Sequence, residues 1–420
     1  MIQTTEFDLA RAGRRIVGSL FVIQSLGLAA VIAGATVFSI AAADLTGNPA
    51  WAGAPSALTS LSGGLAAPLL AAAWDRWGRR LGLSLALAVG VLGAGAAAAS
   101  VELNSLWLFG LGILVLGATQ SGARLSRFIA AEVTPAQSRG RAISLVVWGG
   151  TIGAVGGPLL VGPSSRLAAG LGWNELSGPI ALGVPLIALS VVLCYAGLRP
   201  EPLELSRRLE RQSAGPAHLE SPARPLSQLL LQPGILVAVA AVVLSQMAMV
   251  MLMGITSLYM RDHGHHLDGI SLVFAAHTLG MFAFSPLAGR FSDRVGRGPV
   301  ILAGALLMIA AALVTPASQA VPILALGLFL LGLGWNFCFV AGSALLSDLL
   351  SPSERSKTQG ANDLLVGLAS GIGSLSSGVV YAALGYWTVS LLGGALIVVA
   401  ALSGAWWSLT RAEPRPAPAE

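Results

Sequence analysis

The sequence predicts an all-α membrane protein, with twelve transmembrane helices in two pseudo-symmetric six-helix bundles. Three observations carry this: an apolar composition, arginines confined to alternate connecting segments, and a repeat that relates the two halves. Of 420 residues, 55% are hydrophobic and 10% are charged. A soluble domain carries about 25% charged residues. Mean hydropathy is +0.78.

A bilayer crossing needs about 20 apolar residues. Apolar runs of that kind fall at 16–43, 52–74, 81–100, 105–130, 141–163, 178–198, 233–260, 268–290, 299–317, 321–347, 358–383 and 386–410. The first is too long for a signal-peptide core and lacks a small-residue cleavage site, so it reads as a retained helix. Between the sixth and seventh runs, 199–232 is rich in Pro, Glu, Arg and Ser. It reads as a linker holding a short amphipathic helix near 202–213. The expected organisation is therefore a first half 1–198, a linker 199–232, a second half 233–411, and a disordered tail 412–420 with the sequence PRPAPAE at its end. Cys194 and Cys338 both lie inside apolar runs and imply no disulfide framework.

Basic residues orient the chain. Arg11, Arg14 and Arg15 precede the first helix, and Arg76, Arg79 and Arg80 follow the second. Arg139 and Arg141 follow the fourth, and five arginines occupy the linker. Arg290, Arg294 and Arg297 follow the eighth, Arg355 and Lys357 the tenth, and Arg411 and Arg415 the last. Of the 24 lysines and arginines, only Arg166 and Arg261 sit in the opposite segments, and Arg124 and Arg127 within a helix. The positive-inside rule then places both termini in the cytoplasm, in the inner membrane. This asymmetry also accounts for the pI near 9.9. No basic stripe with interleaved aromatics is present, so no nucleic-acid partner is expected.

The halves repeat. Pro68, Asp75, Gly78 and Arg79 recur 218 positions later as Pro286, Asp293, Gly296 and Arg297. AEVTPAQSRGR at 131–141 is answered by SDLLSPSERSK at 347–357. Parallel repeats of this kind are related by an axis along the membrane normal. D-R-x-G-R-R between the second and third helices resembles the signature loop of the major facilitator superfamily, and the resemblance spans both halves. One position departs. Where the family has Gly four residues before the Asp, the first copy has Ala71 and the second keeps Gly289. The extra methyl is expected to impair close helix packing slightly.

Charge pairing explains the acids in these loops. Glu132 is placed to pair with Arg79, and Asp348 with Arg297. Asp75 and Asp293 can pair with basic residues or accept from a helix N-terminus. The resemblance implies that these charges form a cytoplasmic gate, latching the two halves together until they rock apart. The gate set is then Asp75, Gly78, Arg79, Glu132, Asp293, Gly296, Arg297 and Asp348.

The fifth helix reads GTIGAVGGPLLVGP at 150–163. Its small face suits close packing. Gly153, Gly157 and Pro158 also resemble the G-x-x-x-G-P motif of facilitator antiporters, with Val161 in place of one later glycine. That resemblance implies substrate/proton antiport, hence export. Against it, the fourth helix lacks the mid-helix Arg that drug exporters of the family carry.

Polar residues inside apolar spans mark a transport path. Arg124 lies about 12 Å along the helix from Glu132, too deep to reach the interface easily. His277 lies about 24 Å from Asp293. With Gln24, Trp148, Gln246, Trp335, Asn336 and Asp363 they form the candidate substrate-lining set, of which His277 and Asp363 are the candidate proton carriers. Each has a packing or hydrogen-bonding role as its alternative. RDHGHH at 261–266 gathers three imidazoles and a carboxylate in an outer loop, but H-x-H-H has no rigid scaffold, and no metal site or other cofactor is expected. With no Walker loop, H-E-x-x-H or other catalytic set, the chain is not expected to be an enzyme. The sequence expectation is a secondary transporter, acting as a monomer in the bilayer, that moves a small organic solute by alternating access. Proton-coupled efflux is the leading form. An uptake permease and a non-transporting membrane sensor are the alternatives.

Overall fold

A computed structural model describes residues 6–135, 138–212 and 224–410. The tail beyond 410 and the middle of the linker therefore lie outside the described residues. All regular structure among the described residues is helical. The helices are α1 (Glu6–Thr46), α2 (Ala54–Trp77), α3 (Arg79–Glu102), α4 (Leu106–Glu132), α5 (Arg139–Leu159), α6 (Val161–Gly170), α7 (Ser177–Ala181) and α8 (Gly183–Gly197). They continue with α9 (Pro202–Gln212), α10 (Leu226–Leu230), α11 (Pro233–Asp262), α12 (Leu267–Phe282), α13 (Ser285–Val295), α14 (Arg297–Val314), α15 (Val321–Asp348) and α16 (Pro352–Thr410).

Nine helical stretches among the described residues are long and apolar enough to cross a bilayer. One of these, Lys357–Thr410, has 54 residues. Straight, it would span about 80 Å, far more than the hydrocarbon core. It turns back at Gly385, whose φ of 78° and ψ of 178° interrupt the helix, and so supplies the eleventh and twelfth crossings. Helices α2 and α4, of 24 and 27 residues, supply the remaining two. The fold is thus twelve membrane helices in two halves. The expected short helix in the linker is α9.

Several expected single helices are interrupted. The fifth stops at Leu159, one residue after Pro158, and α6 continues to Gly170, seven residues beyond the expected end. The sixth divides into α7 and α8. The eighth breaks between Phe282 and Ser285. Pro286 follows that break. It has no N–H to give the carbonyl four residues earlier, so the hydrogen-bond ladder fails there.

The chain divides into two compact units: 1–45 with 58–217, and 46–57 with 218–420. The connection between α1 and α2 groups with the second unit. That connection holds a 3-10 turn, Pro49–Gly53, capped by Asn48 Oδ1 accepting from Ala50 N at 2.9 Å. Ser374 Oγ of α16 donates to Gly53 O at 2.8 Å. Gly53 lies so close to the Ser374 backbone that a Cβ would overlap it.

Within the second unit α11 packs on α14, α15 and α16 around Ile235, Ala238, Ala241, Ile301, Ala341, Leu345 and Trp407, all buried. Three alanines sit among larger apolar side chains there, and lipid tails are as apolar as leucine. Association therefore depends on close backbone approach and hydrogen bonding, not on burial from water. Cys194 and Cys338 are free and buried.

Candidate functional site

The arginine-rich loops adopt the same backbone in both units. Gly78 has φ 87° and ψ 163°, and Gly296 has φ 99° and ψ 163°. Positive φ is strained for any residue with a Cβ, which explains why both copies of the loop keep glycine. Each glycine sits just ahead of a helix, so Arg79 and Arg297 are first-turn residues of α3 and α14.

Both predicted acid–arginine pairs are present. Arg79 Nε and Nη2 donate to the two oxygens of Glu132, each at 3.0 Å. This is the bidentate geometry that gives the firmest guanidinium–carboxylate contact. The Arg79 side chain is 14% exposed and that of Glu132 29%. In the second unit Arg297 Nε donates to Asp348 Oδ2 at 2.9 Å, and Nη1 to Asp293 Oδ1 at 2.6 Å and Ser292 Oγ at 3.0 Å. Asp293 and Asp348 are more than half exposed, so this set is worth at most about 1 kcal/mol per pair. The side chains of Asp75 and Ala71 lie outside the described residues.

The structure changes what these pairs connect. They were expected to latch the halves together, yet Arg79–Glu132 joins α3 to α4 and Arg297 joins α13, α14 and α15. Each pair lies inside one unit. The reason is local: the glycine turn starts the next helix at once, and its first-turn arginine reaches only the end of the neighbouring helix. At Gly289, the glycine kept in the second copy, no described atom lies within 4 Å of where a Cβ would stand. Close packing does not demand glycine there.

Three residues with roles in these loops were not singled out from sequence. Glu201 Oε1 accepts from Arg79 N at 2.6 Å and Arg80 N at 3.1 Å. It satisfies two of the orphan donors that open α3, with a negative charge at the positive end of the helix dipole. Glu354 accepts from Arg224 Nε at 2.6 Å, Arg224 Nη2 at 2.9 Å, Arg224 N at 3.1 Å and Ser351 N at 3.0 Å. The Arg224 side chain, then the Ser351 amide, hold the Glu354 carboxyl well below the usual carboxylate range. The same contact raises the Arg224 pKa. The signal for Glu354 was present in the sequence: Ser351, Pro352 and Glu354 spell a capping box with proline at the first helical position.

At mid-depth the two units use a similar device. Ser126 Oγ donates to Gln24 Oε1 at 3.3 Å, tying α4 to α1. Trp335 Nε1 donates to Gln246 Oε1 at 2.9 Å, tying α15 to α11. In each unit a glutamine on the first long helix accepts from the fourth crossing of that half. Trp335 also stacks on Phe339, with centroids 4.9 Å apart at 18°, and meets Phe282 edge-on at 6.4 Å. Phe282 borders the break after α12, which lies about 16 Å along the helix from Asp293. Asn336 staples that break, since its Nδ2 donates to Met281 O at 2.5 Å and Ser285 Oγ at 2.6 Å. Trp148 of α5 is 55% exposed, beside Phe21 of α1.

The other candidates scatter. His277 is fully buried, and its Nδ1 lies 2.9 Å from Leu328 O. A carbonyl only accepts, so Nδ1 carries the hydrogen, and the buried Nε2 has no partner among the described residues. Its expected contact with substrate is not available from this position, because the close approach of α12 and α15 seals the imidazole between them. Asp363 is exposed, early in α16. The Arg124 side chain lies outside the described residues.

The small face of α5 packs on α1. Ser25 Oγ of α1 donates to Gly149 O at 2.6 Å. A Cβ on Gly157 would stand 2.5 Å from Ala29 O, and one on Gly153 would overlap the Ser25 carbonyl. Gly149, Gly153 and Gly157, four residues apart, thus make one stripe along which two backbones touch. Pro158 ends it.

Two repeated six-helix halves, with matching charged loops and paired polar residues at mid-depth, define a membrane transporter of the two-bundle type. The chain belongs to the Major Facilitator Superfamily, whose model matches residues 20–267 and again 238–420. It is 33% identical over 386 residues to the MFS-type transporter YdeG of Bacillus subtilis, covering 90% of this chain and 89% of that protein. It is 30% identical over 359 residues to the riboflavin transporter RfnT of Brucella anthropi, covering 85% and 86%. Similarity to the multidrug resistance protein MdtL of Escherichia coli, 30% over 135 residues, covers 31% of this chain and 34% of that one. Among solved structures, the nucleoside transporter NupG superposes with a TM-score of 0.70 at 17% identity, covering 94% of this chain and all of NupG.

Proposed function

We propose that this protein is a proton-coupled secondary transporter that exports a small organic solute by alternating access. It works as a monomer in the inner membrane, with its arginine-rich loops and both termini in the cytoplasm. The observation that carries the direction is the α1–α5 stripe. The residues that resemble the antiporter motif, Gly153, Gly157 and Pro158, are the ones that set the close contact and end it. The solute is held at mid-depth by Gln24 and Trp148 in the first half and by Gln246 in the second, with Arg124 as a further contact, while the buried Trp335 and Asn336 position Gln246 and the α12–α13 break. The gate pairs act indirectly, by fixing the ends of α3, α4, α14 and α15 so that each half moves as a body. Asp363, an exposed acid inside an apolar helix, is the proposed proton carrier, and the sealed His277 is not.

Import is the second reading. It is favoured by one contrast: a relative matched along 86% of its length is named for a single solute, riboflavin, and the resistance-named relatives match only a third of the chain or less. Sealed proteoliposomes of known orientation, with riboflavin as first cargo and a panel of small organic solutes after it, test both. Export predicts solute movement against an opposing proton flow. Flux in the same direction as protons establishes import, and movement indifferent to the gradient removes proton coupling.

A further inference from the structure

At the end of the first unit that carries its arginine loop, two guanidinium groups share one aromatic ring. The Arg80 guanidinium carbon lies 5.2 Å from the centre of the Tyr195 ring, and that of Arg199 lies 5.4 Å from it. Both are within reach of a cation–π contact. Arg15 brings a third basic side chain to the same place, since its Nη2 donates to Ala196 O at 3.3 Å. We propose that this cluster binds the phosphate headgroup of one anionic phospholipid, whose acyl chains lie along the lipid-facing rows of α3 and α8. The proposal concerns a partner in the bilayer and does not rest on the direction or the cargo of transport.

The cluster differs from arginines that only mark an interface, because its charges are left over by the fold. Arg79, Arg224 and Arg297 each meet a carboxylate. Neither Arg80 nor Arg199 is in an ion pair among the described residues. Glu201, the acid nearest in the fold, is committed through Oε1 to the amides of Arg79 and Arg80. Arg80 Nε is covered by protein and has no hydrogen-bond partner among the described residues. The group therefore has only its terminal nitrogens with which to gain partners from outside the chain. The repeat makes the same point. The residue 218 positions after Arg80 is Gly298, and both loops share one backbone turn. The turn and the gate pair thus need Arg79 but not Arg80.

The surroundings select a lipid over a free anion. Cys194 Sγ donates to Arg80 O at 3.7 Å, and a Cβ on Gly183 would stand 3.2 Å from Ala94 Cβ. These contacts run α3 and α8 side by side and antiparallel. Both belong to stretches long and apolar enough to cross a bilayer. Leu189, Val192 and Tyr195 follow one another at helical spacing on the exposed face of α8, and Leu81, Leu85 and Val89 form a like row on α3. Apolar rows that end in guanidinium groups match a molecule with acyl chains and a phosphate. Basic pockets between helices at this depth are suited to anionic headgroups, and a guanidinium fork fits phosphate oxygens in pairs.

The test uses the full chain in mixed detergent micelles, with native mass spectrometry counting retained lipid. The probes are dioleoyl phosphatidylglycerol, dioleoyl phosphatidylcholine and inorganic phosphate. Wild type is expected to retain one phosphatidylglycerol in preference to phosphatidylcholine, and to keep it in the presence of inorganic phosphate. Arg80→Gln and Arg199→Gln are each expected to weaken retention about tenfold, as loss of a hydrogen bond to a charged group does. Tyr195→Phe is expected to keep it and Tyr195→Leu to weaken it. Arg294→Gln, which removes an exposed charge from the second unit, is expected to leave it unchanged. Arg199 is exposed, so its variant tests the site even where Arg80→Gln fails to fold. Equal retention of the two lipids, full retention by Arg199→Gln, or an equal loss in Arg294→Gln overturns the site. Displacement by inorganic phosphate overturns the lipid and assigns the cluster to a soluble anion.

Discussion

Gly78 shows how one residue carries both geometry and charge. Its φ of 87° starts α3 at an angle that L-residues resist, and a Cβ there would stand 2.8 Å from Glu201 Oε1. Gly78→Ala should therefore cost about 1–3 kcal/mol and also push Glu201 off the α3 amides. The expected result is a lower melting temperature in detergent, with Gly289→Ala, where space is open, unchanged. Glu354 makes a different prediction. Its folded pKa is depressed, so its contribution is fully present above the unfolded value near about 4.3 and is lost as pH falls through the folded one. Glu354→Gln should lower stability at pH 7, and thermal melts of the variant should fall less steeply than wild type on acidification below about pH 4.5. Parallel curves for the two proteins would remove Glu354 as the acid-sensitive group.

Helix pairs are where small residues become informative. Along α5, Gly153 meets the α1 backbone and Gly156 meets nothing within 4 Å. Gly153→Val should force α1 and α5 apart, costing about 1–3 kcal/mol as overpacking does, and should reduce flux. Gly156→Val should alter neither. Equal effects of the two would mean that the stripe has no special role. The break between α12 and α13 was not legible as a break, although Pro286 was seen. A proline removes one donor whatever its surroundings, and whether the helix bends or is bridged depends on neighbours such as Asn336, fifty residues away in the chain. The turn in α16 at Gly385 was anticipated, because two apolar runs met there and no single helix that long fits a bilayer.

For the whole molecule, the repeat makes its own prediction. Trp77 and Val295 precede the two glycine turns and are 53% and 57% exposed, while the two natural cysteines are buried. Cysteines placed singly at Trp77 and Val295 should react with an impermeant thiol reagent from the same face of sealed vesicles. Labelling from opposite faces would end the parallel-repeat topology and with it the transport reading. Coupling is tested at the same scale: Asp363→Asn should abolish gradient-driven flux and preserve solute exchange at equal pH. Gradient-driven flux that survives would move proton carriage elsewhere.

By itself the sequence determined the number of crossings, the recurrence of Gly78 and Gly296, and Glu132 and Asp348 as the acids that meet Arg79 and Arg297. These follow from short-range quantities: apolar length against bilayer thickness, and spacing along one helix end. Only the tertiary structure decided that those ion pairs stay within each unit, that His277 is sealed, that Gln24 and Gln246 are bonded to their neighbours, and that the α1–α2 connection packs with α16. It also stacked Tyr259 on Tyr386, which stand 127 positions apart in the chain. Such outcomes depend on which helix faces meet, and in a bilayer every apolar face is equally at home in lipid. Periodicity in one chain therefore leaves the choice of neighbour open, and the packing itself makes it.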